Sequence, residues 1–191
     1  ERLGAVLPAL AAWRSRRRSD ASLDRLRYRE SWRPLTLPTA VEPGRHLVLV
    51  PAVAAGDPWV GEVVDALGPD TVRVDLDGTG TDRAGLAAVL TGHADAGLTG
   101  IVSLLALDET PCGSAPQDAA SGADAVPGVD AVPAGLAATA ALAAALADTG
   151  VTTRVHAVTR GAVAPAGDGP AAPVQAAVWG LGRVAALELP R

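Results

Sequence analysis

His46-Leu47-Val48-Leu49-Val50-Pro51 is the stretch that decides the fold. Its four central residues are aliphatic, with no polar alternation. A strand of that kind needs cover on both faces, as strands of parallel sheets have. Downstream, strand-like and helix-like segments alternate. Residues 58–67 read as a helix with Gly68 just past its end. Residues 71–76 read as a second strand, and 82–91 as a second helix N-capped by Thr81 or Asp82. Residues 98–107, rich in Val and Leu, read as a third strand. Residues 108–132 hold Gly, Ala, Pro and Asp without a period and read as a mobile surface loop. An Ala/Leu helix over 134–149 ends at Gly150, and a fourth strand follows over 154–159. After a second flexible loop, 160–173, a last helix runs over 174–189, opened by Pro173 and stopped by Pro190. Strands and helices alternating at this spacing predict a parallel sheet with right-handed crossovers and helices on both faces. The fold class is α/β, Rossmann-like.

Upstream of this rhythm the chain changes character. Leu3, Val6, Leu7, Leu10 and Trp13 recur at helical spacing, predicting a helix over 3–19. Its stripe suits docking on a neighbour, or a dimer seam. Residues 25–33 (Arg-Leu-Arg-Tyr-Arg-Glu-Ser-Trp-Arg) alternate in places with a strand period, and 33–44 form a Pro-rich linker.

Composition excludes several chemistries. The 191 residues carry 16 basic and 21 acidic side chains, for a formal charge of −5. All the basic residues are Arg, so a Schiff-base lysine, a phosphate-loop lysine and an unaided Tyr/Lys reductase are ruled out. One Cys excludes an internal disulfide and a Cys-rich zinc site. About a fifth of the residues are Ala, as in proteins of GC-rich genomes, and a start at Glu1 without Met suggests an excised piece. Residues 1–45 hold ten Arg against five acids, and the remainder six Arg against sixteen acids. The cluster Arg14, Arg16, Arg17, Arg18 has only Trp13 as aromatic company, so a solvated linker helix is a better reading than a nucleic-acid arm. No segment reads as a targeting signal or membrane span, which predicts a cytoplasmic protein.

The usual sites of such a fold are poorly provided for. A dinucleotide cradle needs several glycines directly after the first strand, but 51–58 contain only Gly56. Asp75 and Asp77 end the second strand, where a ribose-binding acid would sit. The run Asp75-Leu-Asp77-Gly-Thr79-Gly80-Thr-Asp82 has calcium-loop features, but its twelfth position is Leu86 where a Glu is needed, so it reads as a strand-to-helix turn. His46, His93 and His156 are scattered, and Cys112 lies in the low-complexity stretch. Gly180 and Gly182 fall inside the last helix, where glycine permits close helix packing. Trp179 and Arg183, four apart on that helix, share a face suited to docking. No catalytic, cofactor or metal residues are assigned. The bottom-up reading is a scaffold, or half of something larger. An independent small enzyme using Asp57, Asp77 and Asp108, and a stand-alone interaction module with a basic arm, remain alternatives.

Two stretches carry a more specific likeness. Thr159-Arg-Gly-Ala-Val163 and Pro173-Val-Gln-Ala-Ala-Val-Trp-Gly-Leu-Gly-Arg-Val-Ala-Ala-Leu-Glu188 resemble the structural subdomain of ketoreductases in modular type I polyketide synthases. Arg27-Tyr-Arg-Glu-Ser-Trp32-Arg-Pro34 resembles the opening strand of that region, and the helix before it the upstream linker or dimerisation helix. The resemblance divides the chain into 1–24, the linker helix, and 25–191, the structural subdomain with a truncated, short-chain-reductase-like parallel sheet. It implies a non-catalytic half that stabilises a catalytic half. The latter carries the NADPH loop and reduces β-ketoacyl groups held on the phosphopantetheine of an acyl carrier protein. The implied partners are that catalytic subdomain, neighbouring synthase domains and the carrier protein, in a homodimeric parent, with no nucleic acid or membrane. Tyr28, Trp32, Trp179 and Arg183 are the implied inter-subdomain contacts.

Overall fold

The computed structural model describes residues 10–21, 32–36, 44–78, 80–112, 132–165, 169 and 171–188. The chain divides into two compact units, Glu1–Leu37 and Pro38–Arg191. In the first, residues 10–21 form helix α1, exposed along its whole length. The Arg17 guanidinium stacks over the Trp13 ring, 5.0 Å from its centroid. The helix ends two residues later than the sequence predicts, and residues 3–9 lie outside the described residues. Of the strand expected over 25–33, only Trp32 and Arg33 are described, and they have no regular structure.

The second unit holds a four-stranded parallel sheet in the order Val72–Leu76, His46–Pro51, Gly100–Ser103, Val155–Ala157. Its strands are β1 (His46–Pro51), β2 (Val72–Leu76), β3 (Gly100–Ser103) and β6 (Val155–Ala157). The helices are α2 (Pro58–Leu67), α3 (Arg83–Gly92), α4 (Ala134–Thr149) and α5 (Pro173–Glu188). Strand β1 is central, and Leu47 to Val50 are fully buried. Because side chains alternate across a strand, Leu47 and Leu49 join Leu86 and Leu90 of α3 and Leu142 and Ala145 of α4. Val48 and Val50 point the other way and join Val60 of α2. This explains the unbroken apolar run: each of its residues has a helix above or below. Each such burial contributes about 1.5–3 kcal/mol.

The helix signals are chemical. Asp57 caps α2 by accepting from Trp59 N at 2.9 Å, with Pro58 at the first helical position. Asp82, of the two candidate caps, starts α3 by accepting from Gly85 N at 2.7 Å. Gly150 ends α4 in the left-handed conformation, φ 65°. Gly135 allows α4 to start against the chain after β3: a Cβ there would lie 2.8 Å from the Asp108 carbonyl oxygen.

Three differences from the sequence reading are informative. The third strand stops at Ser103, and Leu105–Leu107 form a 3-10 turn in place of further strand. Leu104 and Leu105 are both fully buried, so apolar continuity could not separate strand from buried turn. The stretch expected as loop from 108 is tied at its base. Pro111–Cys112 (β4) pair antiparallel with Val132–Pro133 (β5), which places the free thiol of Cys112 in a half-buried strand; 113–131 lie outside the described residues. The strand expected over 154–159 is only three residues long. Among the described residues, no helix is long and apolar enough to cross a membrane.

Candidate functional site

In an open parallel sheet, ligands bind beyond the carboxyl ends of the strands. Here that end is occupied by side chains of the protein itself. The carboxylate of Asp57, at the α2 N-terminus, accepts from Trp59 N and forms an ion pair with Arg160, Nη1 to Oδ2 3.1 Å. Arg160 follows β6 and lies over the Trp59 ring, 5.4 Å from its centroid. Its backbone N–H donates to Gln175 Oε1 at 2.8 Å, and Gln175 Nε2 donates to Glu109 Oε1 at 2.8 Å. Gln175 is 95% buried, with 5% of its surface exposed. Trp179 Nε1 donates to Thr159 Oγ1 at 2.9 Å. The segments after β1, β3 and β6 and the first half of α5 are thus joined by one polar network.

This arrangement bears directly on dinucleotide binding. A pyrophosphate sits on free N–H groups at the helix N-terminus after the first strand. At α2 a carboxylate already takes that place, and Pro58 has no N–H to offer. That carboxylate is itself held by the Arg160 guanidinium. Asp75, at the position of a ribose-binding acid, is paired with Arg73 at 2.8 Å, and Arg73 also donates to the Ala55 carbonyl at 2.7 Å. Both acids near the strand ends are thus held within the protein, Asp57 by Arg160 and Asp75 by Arg73.

The other sequence candidates fall into separate local roles. Asp77 Oδ1 accepts from Gly80 N at 3.1 Å, forming a strand-to-helix turn. Asp108 Oδ1 accepts from Thr110 N at 3.0 Å. Asp57, Asp77 and Asp108 are therefore each engaged by a different element. His46 lies in β1 and His156 in β6, while the His93 ring contacts the Val89 carbonyl at 2.8 Å through Nδ1. Trp179 and Arg183 do share the exposed side of α5; Trp179 is 38% exposed. Trp32 is 45% exposed in the first unit, and Tyr28 lies outside the described residues. The expectation of close packing at Gly180 and Gly182 is not met among the described residues, where a Cβ at either would meet no atom within 4 Å. Sequence reading missed Arg160 and Gln175. Their partners lie 103 and 66 residues away, at Asp57 and Glu109, and no local pattern connects them.

Comparison with known proteins supplies the context. The chain is 40% identical, over 99% of its length, to polyketide synthase GfsA of Streptomyces halstedii. It is also 42% identical to a solved A-type ketoreductase from a modular polyketide synthase, with a TM-score of 0.64 over 81% of the chain. This is a polyketide synthase ketoreductase-related domain. A C2-type ketoreductase is similar as well, at 36% identity, a TM-score of 0.65 and 83% coverage. So is pikromycin polyketide synthase component PikAII of Streptomyces venezuelae, 38% identical over 87% of the chain. The ketoreductase-related domain spans 2% of the length of GfsA, 4% of PikAII and 30% of the A-type ketoreductase. No protein-family profile matches it.

Proposed function

We propose that residues 25–191 are the non-catalytic structural subdomain of a cytoplasmic polyketide synthase ketoreductase, and that 1–24 are its linker or dimerisation helix. The chain braces a catalytic half that uses NADPH to reduce a β-ketoacyl group, held on acyl-carrier phosphopantetheine, to the β-hydroxyacyl product. Tyr28, Trp32, Trp179 and Arg183 serve contacts to that half. The observation that supports this reading is the capped and ion-paired start of α2, where the Asp57 carboxylate accepts from Trp59 N and pairs with Arg160. A chain with the sheet of a reductase and that feature supports structure and leaves cofactor binding to its partner. The solved ketoreductases are more than three times as long as the region they share with this chain, which leaves room for such a partner.

Calorimetric titration of the chain with NADPH tests this. The expected result is no heat of binding up to millimolar cofactor. Saturable binding in the micromolar range would overturn the reading.

A further inference from the structure

The segment after β6 runs against α5 and is bonded to it once per residue. The Gly161 carbonyl accepts from Ala172 N at 2.8 Å, Arg160 N donates to Gln175 Oε1 at 2.8 Å, and Thr159 Oγ1 accepts from Trp179 Nε1 at 2.9 Å. Positions 172, 175 and 179 are three and four apart, so they follow one side of the helix from its start. Three successive bonds on one side fix both the rotation of a helix about its axis and its slide along that axis. Gly161 lets the two segments run this close: its φ is 79°, and a Cβ there would lie 3.2 Å from the Ala171 Cβ.

Gln175 is the middle member of this row and is buried. It is also bonded to a third segment, since its Nε2 donates to Glu109 Oε1, after β3, at 2.8 Å. The place asks for an acceptor toward a backbone N–H and a donor toward a carboxylate within one side chain. A side-chain amide offers both, whereas an ionised carboxylate only accepts. The Arg160 guanidinium is already engaged by Asp57, so a carboxylate at 175 would face that of Glu109. A buried polar group left unmatched in such a network shifts the segments around it.

We propose that Gln175 is a positioning residue of the parent ketoreductase. Its amide sets the register of α5 against the segments after β3 and β6, and with it the way Trp179 and Arg183 are presented to the catalytic half. The proposal rests on the structural-subdomain reading and deepens it by naming the side chain that aligns the contact face.

Exchanging the two partners tests it. Gln175→Glu sets a carboxylate against Glu109 and removes the donor. Glu109→Gln keeps an acceptor for the Gln175 amide. Gln175→Glu combined with Glu109→Gln restores one donor and one acceptor, reversed. In the intact ketoreductase, assayed well below its melting temperature, Gln175→Glu is expected to lower kcat about tenfold or more. Glu109→Gln is expected to leave kcat unchanged, and the double variant to recover it. In the 191-residue chain the Trp179 indole N–H resonance is expected to move in Gln175→Glu and to return in the double variant. A wild-type kcat in folded Gln175→Glu would overturn the proposal. So would a loss that the double variant does not recover, or a Trp179 resonance that does not move. If Gln175→Glu does not fold, the double variant decides alone: wild-type folding and kcat support the proposal, and failure of either overturns it. The two readings fail separately, because NADPH binding by the short chain sinks the functional one without altering the Trp179 response.

Discussion

Asp57 does three things with one carboxylate. It caps α2, holds Arg160 and, through that pair, links the start of α2 to the segment after β6. Its neighbour Pro58, at the first helical position, has no N–H to be satisfied there. Asp57→Ala is expected to cost about 1 kcal/mol through loss of the cap. Urea unfolding would show this as a lower midpoint with an unchanged slope; an unmoved midpoint would contradict the assigned role. The helix start at Pro58 was legible in the sequence, though Asp57 was not assigned there as its cap. The Asp57 ion pair was not legible, because Arg160 is brought over by the sheet from 103 residues away. Gln175 escaped notice for the same reason. It sits in a sequence stretch conspicuous for Trp and Gly, yet it is the buried amide that ties Arg160 to Glu109.

At the scale of elements, the β1 run and the helix boundaries could be read directly. Continuous apolarity marks two-sided burial, and Asp, Pro and Gly mark ends through specific backbone chemistry. The 3-10 turn at Leu105–Leu107 could not be read, since a buried turn and a buried strand demand the same side chains. Helices α3 and α4 are also joined at their surface, where Arg83 holds Asp148 through both guanidinium and carboxylate groups. The Arg83 hydrogen bond keeps the Asp148 carboxyl below its ordinary range. A carboxyl with a lowered folded pKa stabilises the fold above its unfolded value and loses that contribution as pH falls through the folded one. The stability difference between the wild type and Asp148→Asn should therefore be present at pH 7 and vanish on acidification below about pH 4. Thermal melts across that range check it. A difference that persisted or grew at low pH would assign the stabilisation to something other than this pair.

For the whole molecule, sequence periodicity gave the alternation of strands and helices and hence a parallel α/β sheet. Strand order was a different matter. That β1 lies between β2 and β3, and that β6 ends the sheet, follows from crossovers and packing that no single segment encodes. The candidate site was legible mainly through what it lacked, the glycines after the first strand. Only the folded chain revealed what stands there instead, an Arg160–Asp57 pair within a network reaching Glu109. The most direct test of the structural role is reconstitution: the catalytic half of the parent ketoreductase is produced with and without this chain, and NADPH-dependent reduction of a β-ketoacyl thioester is measured. The account predicts a soluble, active enzyme only when the chain is present, and Asp57→Ala in the chain should leave the KM for NADPH unchanged. A catalytic half that is equally stable and active alone would contradict it.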